Sequence, residues 1–243
     1  MKPQWMLVAM LLLPATAFAQ SSLPAGTILP LSLNQDLNAD RVHADQQISA
    51  KVMQDIPGTQ IRRGTEVLGH IVSVTSSRSG ESQVEFRFDS IKIGGQRIPL
   101  KANLRALASP AEISDADWAM YGPDAGIDFN SVSTNQIGGE LVFRGGGPVF
   151  NGSTVIGKST SQGVLAEPRS NTEQHCRGVV AGNATPQALW LFSSDACGLY
   201  GFDSVRIQHA GRSAPFGQIV LDASKGRLNI NKQSGLLLRI QGS

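Results

Sequence analysis

The stretch from Ser82 to Ala106 constrains the fold more than any other part of the chain. Val84, Phe86 and Phe88 alternate with Glu85, Arg87 and Asp89, the period of two expected of a strand with one buried and one wet face. Ile91 and Ile93 fall on the opposite parity, so a bulge is expected near Asp89-Ser90. Gly94-Gly95 supplies a hairpin turn. The chain then returns over Arg97 to Ala106, with Ile98, Leu100, Ala102 and Leu104 expected inward and Arg97, Lys101, Asn103 and Arg105 outward. Pro99 has no N–H to give a ladder, which leaves the start of this return strand with one unpaired edge.

Three similar strands are expected upstream, over Gly26 to Leu33, Gln47 to Ile56, and Val67 to Val74 after a turn at Arg63-Gly64. Five strands at short spacing between residues 22 and 107 describe a small barrel or sandwich. Composition agrees. Charged residues are only 16% and glycines number 26, which suits turns and half-buried strands better than long surface helices. The class is all-β.

Ser109-Pro110-Ala111-Glu112 has the form of an N-cap, a proline at N1 and a capping-box Glu, so a short helix is expected to run to about Met120 and stop at Gly122-Pro123. Residues 122–147 are rich in Gly, Asn and Ser and read as a loop. Strands resume over Ala188 to Phe192, Val205 to His209, Gly217 to Asp222 and Arg227 to Ile230. The last segment, Gly235 to Ile240, carries Leu236-Leu237-Leu238 and is expected to be buried, pairing with the first strand and leaving the middle of the chain as an insertion. Gly64 to His70 and Gly152 to Lys158 echo one another as a turn entering a strand with a second glycine. The expected organisation is a signal peptide (1–19), a barrel-like unit (20–107), a short helix with a Gly-rich linker (108–147), and a C-terminal β region (148–243) whose last strand, 235–240, closes the first unit.

The N-terminus carries Lys2, an apolar run from Trp5 to Leu13, Pro14 as a breaker and Ala17-Phe18-Ala19 as a small-x-small cleavage site. That order is a secretory signal peptide with Gln20 as the expected mature N-terminus. A spanning helix needs about 20 apolar residues, roughly twice this run, so no membrane span is expected after cleavage, and the address is periplasmic or secreted. The formal charge of +2 makes no field that would attract nucleic acid. Two cysteines, Cys176 and Cys197, both lie in the exported part, where an isolated pair reads most simply as a disulfide. A loop of that size is stabilised by roughly 3 kcal/mol in the loop-entropy model. A reactive thiol beside His175, or metal ligation, is the alternative. The remaining histidines, His43, His70 and His209, form no ligand cluster with them, and no metal or other cofactor is implied.

Pro24-Ala25-Gly26-Thr27-Ile28, Ala50-Lys51-Val52, Ile61 with Gly64 to Gly69, and Phe86 with Asp89-Ser90-Ile91 occur in an order that resembles the C-terminal β-barrel of the scaffold proteins of conjugation and type IV secretion machines, the TrbI-like proteins. The resemblance covers residues 24–104. Arg62 stands where the family usually has proline, and the family's uncleaved inner-membrane helix and Pro-rich stalk have no counterpart in this reading. The resemblance implies a barrel and an envelope address.

No nucleophile elbow occurs, and Ser193-Ser194-Asp195 has no histidine at an informative spacing. Glu85 and Asp89 could pair as carboxylates for glycoside hydrolysis, but Arg87 between them matches an ordinary solvated face. Asp115 and Asp117 stand at i, i+2 on a helix and do not face each other. Gly145 to Gly147 does not follow a strand–helix phosphate-loop pattern. Trp118, Tyr121, Trp190, Phe192, Tyr200 and Phe202 could form a binding surface by stacking, or could pack as core beside Cys197. The function expected first is a non-enzymatic, envelope-associated structural or partner-binding protein, with an envelope protein or a second copy as partner. A carbohydrate- or ligand-binding module, and then a secreted hydrolase, are the alternatives.

Overall fold

The computed structural model describes residues 23–77, 80–121, 132–138, 141–144, 148–151, 154–160, 163–166, 187–193 and 196–241. Its first strands are β1 (Ile28–Leu33), β2 (Leu37–Asn38), β3 (Gln47–Val52), β4 (Glu66–Ser76), β5 (Ser82–Ile93), β6 (Gln96–Pro99) and β7 (Ala102–Ala108), followed by helix α1 (Pro110–Tyr121). Six short strands come next: β8 (Val132–Asn135), β9 (Leu141–Arg144), β10 (Pro148–Asn151), β11 (Thr154–Thr160), β12 (Gly163–Ala166) and β13 (Gln187–Ala188). The chain ends with β14 (Gly198–Tyr200), β15 (Val205–Ala210), β16 (Ile219–Ala223), β17 (Asn229–Ile230) and β18 (Gly235–Ile240). The β class and the single short helix among the described residues agree with the sequence reading.

Ten of these strands share one sheet in the order β14-β7-β18-β1-β3-β4-β5-β16-β15, with β6 on β5. The expected small barrel is corrected here to a large sheet that does not close. β14 is three residues long and runs parallel to the end of β7 only, while β15 is laddered to β16 alone, so no ladder joins the two ends of the path. The sheet draws strands from both sides of the expected 107/148 division. The last strand pairs antiparallel with the first, Leu29 opposite Leu238 and Leu31 opposite Leu236, and with β7 along its other side.

Two cores explain the consecutive leucines of β18. Leu236 and Leu238 lie in the main core with Leu29, Leu31, Val84, Phe86 and Leu104. Leu237 faces the other way, into a second core with Ile28, Ala106, Leu189, Trp190 and Phe192. Residues 187–193 and 196, with α1, thus cover the outer face of β1, β18 and β7. Gly235 permits the closeness of this layer, since a Cβ there would lie 2.5 Å from Ile113 Cδ1 and 3.1 Å from Phe192 Cζ. The helix begins as expected, with the Glu112 N–H donating to Ser109 Oγ at 3.3 Å.

Of the four bulges in the large sheet, two bear on the faces expected from sequence. Leu68 pairs with Ser90 and Gly69 with Phe88, so Asp89 is the extra residue on β5, where the parity change in the sequence put it. The second lies on β7, where Leu237 pairs with Ala106 and Leu238 with Leu104. Arg105 is the extra residue, and the expected outward placement of Asn103 and Arg105 is corrected. Arg105 is 2% exposed and Asn103 9%, because the second core's layer covers this face, and Arg105 Nε donates to Ala196 O at 2.9 Å. The loop expected over 122–147 also contains a short hairpin of β8 and β9, with 122–131, 139–140 and 145–147 outside the described residues. Gly94 and Gly95, at φ 57° and 82°, make the expected turn between β5 and β6.

Candidate functional site

The β15–β16 hairpin carries the most exposed apolar feature. Val205 and Ile207 pack against the main core, while Arg206 and Gln208, which alternate with them, are exposed, so β15 is a half-wet edge strand. The connecting loop, 211–218, turns through Gly211 and Gly217, at φ 79° and 80°, a region that glycine enters without the Cβ penalty. Gly217 N–H donates to Gly211 O at 2.9 Å. His209 holds the loop from inside: its Nδ1 lies 2.9 Å from Gly211 N and 2.8 Å from Gln218 O, and its Nε2 lies 2.8 Å from Ser213 Oγ.

Phe216 stands at the tip and is 52% exposed, the one exposed large apolar side chain among the described residues. Lys101 Nζ sits 4.9 Å from its ring centroid, within reach of a cation–π attraction. Arg212 is held below the usual guanidinium range by partial burial and by the nearby Arg239 cation. An aromatic tip with cations around it can cover an apolar spot on a partner and attract carboxylates at its rim. The Ser213–His209 contact has the spacing of an activated serine, but the far side of the ring meets two backbone groups where a triad has a carboxylate to stabilise the imidazolium.

A second cluster sits at the Asp89 bulge. His70 Nδ1 lies 2.7 Å from Asp89 Oδ2, and Arg87 Nε donates to Asp89 Oδ1 at 2.8 Å, beside a groove of about 290 Å³ reached by Asp45 and Arg97. Glu85 accepts from Ser73 Oγ at 2.7 Å. The two carboxylates of this strand are therefore each engaged by a neighbour, as on a solvated face. Among the described residues, no three His, Cys, Asp or Glu side chains gather as a metal site.

Of the aromatics singled out from sequence, Trp190 and Phe192 are core: they are 6% and 0% exposed and meet edge-on at 6.5 Å. Trp190 takes φ 52°, and its backbone N–H donates to Gln54 Oε1. Its remaining edge lines a shallow groove with Arg63 and Asp117. Tyr200 is half-buried, its hydroxyl accepting from Cys197 N–H at 2.9 Å and donating to Cys197 O at 3.1 Å. Phe202 packs partly buried against the main core. The side chains of Trp118 and Tyr121 lie outside what the structure describes. So does Cys176, and with it the expected Cys176–Cys197 bridge; Cys197 itself is buried. Phe216 was legible only as part of a Pro-Phe-Gly turn signal, which marks a loop but not an exposed ring.

The chain matches no protein-family model and no curated protein.

Proposed function

We propose that this is an exported, non-enzymatic, envelope-associated protein that docks a partner protein through the tip of the β15–β16 hairpin. The exposed Phe216 beneath Lys101 carries the reading, because a half-exposed aromatic on a hairpin tip is the kind of anchor that interfaces bury at their centre. The cations around it select an acidic rim on the partner. The signal-peptide pattern of residues 1–19 and the resemblance of residues 24–104 to secretion-machine barrels support the envelope address. No helix among the described residues is long and apolar enough to cross a membrane.

The test is capture from native envelope extract by the immobilised mature protein, compared with Phe216→Ala and Lys101→Glu. A specific partner should be retained by the parent, lost on both variants and released by salt. Equal capture by all three proteins would refute the assignment to this tip. N-terminal sequencing of protein from a secreting host should read from Gln20, and an intact Met1 would remove the envelope part of the proposal.

A further inference from the structure

The face of the sheet that α1 covers at β1, β18 and β7 holds, farther along at β4, β5, β16 and β15, a cleft that the docking tip does not use. Thr75, Gln83, Asp222 and Arg206 stand directly opposite one another across β4, β5, β16 and β15, so strand pairing alone places four polar side chains in one row. The cleft over this row has a volume of about 380 Å³ and is rimmed by Glu81, Gln208 and the serines of the adjoining turns. Gln83 Nε2 donates to Gln208 Oε1 at 3.1 Å. Asp222 forms its floor. It is 7% exposed, and Arg206 donates to its Oδ2 from Nε at 3.2 Å and Nη2 at 2.9 Å. Its other oxygen, Oδ1, is buried and accepts no hydrogen bond from the described residues. A buried acceptor left this way lowers the stability of the empty state, and a donor that reaches it recovers that loss.

We propose that this cleft binds a neutral glycan. Its floor calls for a hydroxyl donor at Asp222 Oδ1, and the Gln83–Gln208 amide pair offers both a donor and an acceptor beside it, the combination that adjacent sugar hydroxyls satisfy. Among the described lining residues, Arg206 against Glu81 and Asp222 leaves one net negative charge, which disfavours phosphate or a carboxylate ligand. Among the described lining residues Ala223 is the one apolar side chain, which gives little to a lipid or an apolar peptide. The guanidinium already on Asp222 opposes a bound cation. Arg206 is 68% exposed in its side chain and can swing to admit a hydroxyl without moving the sheet.

The experiment is amide-detected NMR titration of the mature protein with maltohexaose, cellohexaose and chitohexaose at millimolar concentration, with inorganic phosphate as the anionic arm. At least one oligosaccharide should shift amides confined to residues 75–77, 81–83, 206–208 and 222–224. Asp222→Asn, which keeps the shape of the side chain, should weaken that binding by roughly tenfold or more. Gln208→Ala, on an exposed position that should not affect folding, should weaken it severalfold. No shift with any oligosaccharide overturns the proposal, as do shifts centred elsewhere, phosphate binding in place of sugar, or affinity unchanged in both variants. Loss of capture at Phe216 with intact sugar binding would separate this site from the docking tip.

Discussion

Replacing Gly69 by Ala tests whether the Asp89 bulge organises the sheet. A Cβ on Gly69 would lie 2.0 Å from the Arg87 carbonyl oxygen and 2.9 Å from both Arg87 C and Phe88 Cα. Carbon–oxygen contacts of this kind settle at about 3.3 Å or more, so the facing backbone has to retreat by roughly 1 Å. All three atoms are main chain, and no flexible side chain can absorb the shift. Forced displacement in a packed interior costs about 1–3 kcal/mol, and a broken ladder hydrogen bond adds about 1 kcal/mol. The expected loss is therefore about 2–4 kcal/mol in urea melts followed by circular dichroism, or about 4–16 °C in Tm for a chain of this size. Gly58→Ala is the control. Gly58 takes φ +73° with nothing within 4 Å of an added Cβ, so it carries only the left-handed penalty of about 1–2 kcal/mol. If Gly69→Ala cost no more than Gly58→Ala, the close approach of β4 and β5 at the bulge would be wrong.

Phe86→Ala should cost about 3–5 kcal/mol, since the ring is 1% exposed and packs edge-on to Phe88 at 6.0 Å. Arg87→Ala, half-exposed and paired only with Asp89, should stay within about 1 kcal/mol; equal costs would mean the two faces of β5 are misassigned. Deleting residues 235–243 removes the strand between β1 and β7, so hydrogen-exchange protection of Val84 to Phe88 should collapse, and unchanged protection would make β18 dispensable to the main core. Non-reducing mass analysis of the secreted protein should find Cys176 linked to Cys197; two unmodified thiols would remove the bridge, whose loss on mutation to Ser should cost no more than about 3 kcal/mol.

The elements on which the two surface sites rest were legible to different degrees. Asp89 showed itself as a bulge because the residues on either side, Phe88 and Ile91, are both apolar and of opposite parity, so a single uninterrupted strand could not bury both. Arg105 did not, because the small residues Ala102, Ala106 and Ala108 are compatible with either face. Arginine in a strand also ordinarily marks the wet side. Nothing local announces that residues 189–192 pack over β7 and that the Ala196 carbonyl meets the guanidinium.

Sequence alone determined the β class, the hairpin at Gly94-Gly95, the capped helix from Pro110, and the burial of Leu236 to Leu238. Each is written in a pattern only a few residues long: an alternation, a turn pair, a cap, a run with no polar face. Tertiary structure decided that the sheet stays open, since no ladder joins β14 to β15 at the two ends of its path although the two strands are neighbours in the chain. It also decided the two proposed surfaces. Asp222 and Arg206 are unremarkable in their own strands and become a cleft only when β5 and β15 flank β16. Phe216 looks like any turn residue, and the fold leaves it outside because the loop is pinned by His209 over Lys101 and not against the core. Period and turn chemistry are local energies, whereas which face gets a second layer is settled by segments distant in sequence that compete to cover apolar surface.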